Sequence, residues 1–177
     1  MTDIQDSIAD FHCPRWEQLP AIPLYMDQVI YVVEEAVGVF ADEKERVLTH
    51  AMVNNYVKQK LVPAPEKKRY TREHIAALIV TSVLKRVLPI GQIAQTVHWL
   101  QVRYGEQGAY DMFCETLEEM LTAAFATGVQ TVGPVAFAPD ETGLLRAALT
   151  ALMGLLLAQS ALRALEGKNA DAAQESK

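Results

Sequence analysis

Between residues 24 and 40 the apolar positions Leu24, Met26, Val29, Ile30, Val32, Val33, Val37 and Phe40 recur at close to helical spacing, with Asp27, Glu34 and Glu35 facing the other way. That period predicts a first amphipathic helix. After the charged stretch ADEKER (41–46), Thr49 is placed to cap a second helix reaching about Lys60. On a helical wheel this segment divides into two arcs, Met52, Val53, Tyr56 and Val57 on one and Ala51, Asn54, Asn55, Lys58 and Gln59 on the other. Leu61 and Val62 then return to the core, Pro63 and Pro65 hold the chain extended, and Glu66 to Tyr70 form a short wing. Thr71 caps a third helix running to about Leu88, with Ile75, Leu78, Ile79, Val83 and Leu84 inward, and Pro89 ends it.

Beyond Pro89 the same period continues. A helix over Gly91–Arg103, a glycine-bounded turn and a helix from Ala109 to about Thr127 are expected. In the latter, Tyr110, Phe113, Leu117, Met120, Leu121 and Ala124 form a packing stripe, and Asp111, Glu115, Glu118 and Glu119 read as a solvated face. Residues 128–140 read only as a Gly- and Pro-containing connection. A last helix over Glu141–Glu166 precedes a tail, 167–177, of disordered composition. Pro14, Pro20 and Pro23, with Trp16 among them, make residues 1–23 an arm lying on the domain.

The fold class is therefore all-α, divided into the arm (1–23), a compact unit (24–89), a helical dimerisation or effector region (90–166) and the tail. A chain of 177 residues, half of them apolar, is long enough for a sizeable core or for a small binding module plus a second helical one. The first ten residues carry three acids and no basic start before an apolar run, which favours a cytoplasmic protein. Cys13 and Cys114, 101 positions apart, form no close pair in sequence, and buried free thiols are expected. The 16 uncharged residues between Arg146 and Arg163 fall short of the roughly 20 that a span requires. They suit a buried or dimerising helix better than a membrane.

Charge changes the picture. Lys44 to Arg86 holds ten Lys and Arg against three acids, a net of +7, while the remainder carries −13, so the overall −6 conceals a basic block. Such asymmetry points to a polyanion surface. The second helix presents amides and a cation to solvent: Asn bridges adenine N6 and N7, Lys reaches guanine O6 and N7, and a small Ala permits close approach. Ala51, Asn54, Asn55 and Lys58 are thus candidate base contacts, with the wing cations Lys67, Lys68 and Arg69, and Arg72 after them, as phosphate contacts.

The stretch from Val53 to Pro63, VNNYVKQKLVP, followed by Arg69 to Ile75, RYTREHI, resembles the recognition helix and wing of the MerR-type regulators, which read approximately I-R-Y-Y-E-x-x-G-L-L-P and then G-Y-R-x-Y-S-x-x-D-L. The resemblance implies a winged helix-turn-helix with a short wing over residues 24–89, followed by additional C-terminal helices, binding double-stranded DNA as a homodimer. Thr49, Tyr56 and Tyr70 complete the expected phosphate-contact set, the two tyrosines reading alternatively as core rings with wet hydroxyls. Where the regulators carry Arg and Tyr, this chain has Asn54 and Asn55. Where a helix-ending Gly is expected it has Lys60, a substitution costing about 1 kcal/mol if the left-handed geometry is kept. The blocks PRWEQLPAIPLYMDQVI, MVNNYVKQKLVPAPEKKRYTREHIAALIV and LKRVLPI are also similar to a bacterial domain-of-unknown-function family (number 1836), from which no activity follows.

Catalytic patterns are lacking. His12, His50, His74 and His98 are scattered, with no H-E-x-x-H, phosphate-binding glycine loop or G-x-S-x-G elbow, so no enzyme, metal or cofactor is expected. His74 suits a surface or capping role. The expected function is DNA-binding transcriptional regulation, with a small-molecule effector of unidentified nature conceivable in the C-terminal helices. The competing reading is a protein-interaction adaptor that keeps the scaffold without binding DNA.

Overall fold

The computed structural model describes Ile8 and residues 11–41, 46–125 and 138–175, with side chains as far as Glu166. Five helices follow one another: α1 Met26–Val37, extended by a 3-10 turn Gly38–Phe40; α2 His50–Lys58; α3 Arg72–Leu84; α4 Ile90–Phe125; and α5 Glu141–Glu175. Among the described residues there is no strand, only isolated antiparallel bridges joining Leu24 to Tyr70 and Glu66 to Arg69. The all-α expectation is met. Lys44 of the basic block, the 128–137 part of the uncertain connection, and the arm's first residues other than Ile8 lie outside the described residues.

α3 is the centre of the molecule, packed against α1, α4 and α5. From His74 to Leu84 every residue but Ala77 is buried, so the helix is covered all round. The sequence reading gave it one inward face, because a helix surrounded by neighbours keeps no amphipathic stripe to read. Each large aliphatic side chain removed from water there contributes about 1.5–3 kcal/mol. The start of α3 is closed by Thr71, whose N–H donates to His74 Nδ1 at 3.0 Å. His74 thus takes the capping role, but buried at 5% exposure and not on the surface.

As predicted, two helical stretches follow Pro89, and the α4 range spans both of them across a kink. Only Gly105 leaves the helical region, at φ 73° and ψ 172°, a conformation that glycine adopts without a Cβ penalty. α5 runs on to Glu175, beyond the predicted end at Glu166 and through most of the segment read as tail. Its residues 141–166 are long and apolar enough to cross a membrane, but Leu145, Leu149, Leu152, Met153 and Leu156 are buried and α5 packs along α4. Asp140 caps this helix, accepting the Gly143 N–H through Oδ1 at 2.7 Å. A Cβ at Gly143 would stand 1.9 Å from the Ala138 carbonyl oxygen. Gly143→Ala should therefore lose about 1–3 kcal/mol in chemical denaturation, although alanine favours a helix interior by about 1 kcal/mol.

The acids of α4 are not a uniformly solvated face, which corrects the sequence expectation. Glu118 takes both guanidinium nitrogens of Arg15 at 2.9 and 2.7 Å and the Cys13 N–H at 2.7 Å, with His12 Nδ1 3.0 Å away. Asp111 accepts the Trp16 N–H at 2.8 Å, and the Tyr110 hydroxyl donates to the Pro14 carbonyl at 2.7 Å. These carboxylates anchor the arm. Cys13 and Cys114 are buried free thiols as expected, yet their sulfurs stand 3.0 Å apart. The hydrogen bond with Cys114 and burial hold the Cys13 thiol well above its ordinary pKa. Chain separation concealed this pair because only the docked arm closes it.

Candidate nucleic-acid interface

Thr49 begins α2, its hydroxyl oxygen accepting the Met52 N–H at 3.2 Å. Val53 and Tyr56 are buried, fixing the helix by its apolar arc. Ala51, Asn54, Asn55 and Lys58 are all exposed on the other arc. Asn55 Oδ1 accepts a hydrogen bond from Gln59 Nε2 at 3.1 Å, which orients the amide without covering it.

α2 ends in a left-handed residue. Lys60 has φ 59°, its N–H donates to the Val57 carbonyl at 3.0 Å and the Leu61 N–H donates to the Tyr56 carbonyl at 3.0 Å. This is the Schellman arrangement, completed by burial of Leu61. The geometry that favours glycine is kept with a lysine in it. Lys60→Gly should accordingly raise stability by about 0.5–1 kcal/mol, read as a higher denaturation midpoint at unchanged slope.

The four residues Glu66–Arg69 form a tight hairpin. The Arg69 N–H donates to the Glu66 carbonyl at 2.8 Å, and Lys67 and Lys68 both have positive φ, 48° and 62°. Two successive left-handed residues define a primed turn, a role in which Asn-Gly is preferred. Sequence reading placed a short wing here but not its turn type, because Lys-Lys carries none of the usual signal. Both lysines are exposed at the tip, and Lys58, Lys60, Lys67 and Lys68 make no ion pair among the described residues.

Four expected phosphate contacts are placed differently. Tyr56 and Tyr70 are each 3% exposed, and burial raises both phenol pKa values; they are core rings, Tyr70 meeting His74 edge to face at 5.4 Å. Arg72 donates to Glu17 at 3.0 Å and lies 6.0 Å from the Trp16 ring, so it ties α3 to the arm. Arg69 remains exposed, but its guanidinium lies 3.7 Å over the Tyr25 ring and donates to the Pro23 carbonyl at 3.3 Å, which holds the hairpin to the start of α1. Two further cations of the basic block turn inward: Lys85 donates to the Val47 carbonyl at 2.6 Å and Arg86 to the Phe40 carbonyl. The regional charge is thus divided between internal ties and an outward set on α2 and the hairpin.

What these elements define is a domain with five helices among the described residues that exposes a short, amide-faced helix and a lysine-tipped hairpin on an acidic molecule. The family model described as "Domain of unknown function (DUF1836)" matches residues 14–113, more than half of the chain, and the protein belongs to that family. No curated protein and no solved structure matches the chain.

Proposed function

We propose that the protein is a cytoplasmic DNA-binding transcriptional regulator of MerR-like type, with α2 as the recognition helix in the major groove and the Lys67–Lys68 hairpin as the wing of a winged helix-turn-helix. One observation carries this reading: Asn54, Asn55 and Lys58 are exposed on one helix face, the two hairpin lysines are exposed as well, and none of these cations is neutralised by a protein carboxylate among the described residues. Amides and a lysine are the groups that read adenine and guanine edges, and the hairpin lysines suit phosphate. The left-handed backbone of Lys60, Lys67 and Lys68 adds support, since strained residues concentrate at functional sites.

A homodimer fits the outer face of α5. Ala151, Gly154, Ala158, Ala161 and Leu165 are exposed there at three- and four-residue steps without a charge, a surface that a second copy would cover. Two half-sites read by such a dimer lie about 34 Å apart.

The test is a selection from randomised duplexes at moderate salt, followed by a salt titration. A recovered sequence with two-fold symmetry is expected, with log affinity falling against log salt at about −1.8 per subunit for the phosphates met by the two hairpin lysines. A pool without sequence preference, or a monomer by light scattering at micromolar concentration, would favour the adaptor reading.

A further inference from the structure

Cys13 belongs to the arm and Cys114 to α4, 101 positions later, and both are wholly buried. Their sulfurs stand 3.0 Å apart, so about 1 Å of further approach brings them to the roughly 2.05 Å of a disulfide. Free thiols buried in a core are ordinarily inert. These two lie instead at a seam that can open, because the arm is held to α4 by contacts that water can replace. Arg15 and the Cys13 N–H meet Glu118, the Trp16 N–H meets Asp111, and the Tyr110 hydroxyl meets the Pro14 carbonyl. We propose that Cys13 and Cys114 are the two halves of a reversible disulfide that fastens the arm to α4, closed by a hydroperoxide and opened by a dithiol reductant.

The chemistry is a two-electron oxidation. Freed from the seam, one cysteine attacks the peroxide as its thiolate; the O–O bond breaks, an alcohol or water leaves and a sulfenic acid forms. The sulfur of the other cysteine displaces the hydroxyl, so that the S–S bond forms and water is released. Two thiols and one hydroperoxide thus give one disulfide, one water and one alcohol, the alcohol being a second water when the oxidant is hydrogen peroxide. A dithiol reverses the step by exchange, becoming a cyclic disulfide as both thiols return. The docked state protects the pair: the hydrogen bond with Cys114 and burial raise the Cys13 pKa, which suppresses the reactive thiolate. Oxidation is therefore gated by release of the arm, and the bond closes when the arm returns. It closes a loop of about 100 residues, long enough for a large stabilisation through the unfolded chain. Further along, the arm reaches the foot of the hairpin, where Leu24 and Tyr70 exchange backbone hydrogen bonds at 2.8 and 2.9 Å, and Glu17 takes Arg72 at 3.0 Å. A fastened arm steadies that foot as well.

The experiment treats the full chain with excess hydrogen peroxide and reads its peptide map, non-reducing electrophoresis, thermal midpoint and tryptic cleavage after Arg15. Each reading is repeated on the same treated sample after dithiothreitol, which reopens a disulfide but leaves oxidised methionine as it is. A Cys13–Cys114 link within one chain is expected, lost with dithiothreitol. While linked, the protein should melt about 5 °C or more higher than after reduction. Cleavage after Arg15 should be slower by at least roughly tenfold, since proteolysis follows the open population. Cys13→Ser and Cys114→Ser should each lose both differences; should either fold poorly, the comparison before and after dithiothreitol decides alone. Cysteines left unlinked by peroxide, a link between two chains, or equal cleavage of linked and reduced protein overturns the inference. None of these readings involves DNA, so a failed duplex selection leaves it intact.

Discussion

Substitution of Asn54→Ala, Lys58→Ala, Lys67→Asn and Lys68→Gly together is expected to abolish retention of duplex DNA while making the protein no less stable. The opposite signs give the prediction its value. Asn54 and Lys58 are exposed and outside the core, so their removal should alter stability by about 0.5 kcal/mol or less each. Asn-Gly in place of Lys67 and Lys68 suits their positive φ values and should relieve about 1 kcal/mol per left-handed residue at most. Binding moves the other way. Each lost base contact removes about 1–3 kcal/mol, and loss of two phosphate contacts should reduce the salt slope by about 1.8 per subunit. Filter retention and a thermal melt on the same samples decide it. Retention unchanged at a preserved melt would show that this face does not meet DNA.

The second large effect concerns the arm. Glu118→Ala should cost about 2–3 kcal/mol at neutral pH, because it strips a bidentate guanidinium and a backbone N–H of their shared acceptor. Burial acts to raise the pKa of Glu118, but hydrogen bonds from Arg15 and the Cys13 amide outweigh it, and the net shift is downward from 4.5. A carboxyl group with a lowered folded pKa contributes stability in full above its unfolded value and loses it as pH falls through the folded one. The difference between parent and Glu118→Ala should therefore stay constant around neutrality and close on acidification below the ordinary carboxyl range. Denaturation midpoints of both proteins across that range are the measurement. A gap that persists in acid would remove Glu118 charge from the account of how the arm is held.

The arm also shows why some of this molecule was illegible in one dimension. Asp111 and Glu118 sit off the apolar stripe of α4, where a solvated face is the ordinary reading, yet they meet donors on residues 13–16, some hundred positions away. Nothing in a helical period encodes which exposed acid a distant segment will cover. The same holds for Arg72 and Tyr70, whose residue types invite a phosphate but whose surroundings engage one with Glu17 and enclose the other in the core. By contrast, the Thr49 cap, the exposed arc Ala51, Asn54, Asn55 and Lys58, and the left-handed position at Lys60 were all readable. Each depends on residues within a turn or two of itself.

The break within α4 was readable as well. A glycine-bounded turn was visible near residue 105, and two helical stretches do meet there, at Gly105.

Local physics, then, was written in the chain: helical period, caps, the proline stop before α4, and the sign of charge along residues 44–86, because propensity, capping and hydrogen bonding act over three to six residues. Tertiary packing alone decided which cations face outward, which acids clamp the arm, that Cys13 meets Cys114, and that α3 is covered on every side. Burial and long-range pairing are properties of surfaces brought together by the whole fold, and no single segment contains both halves of such a contact.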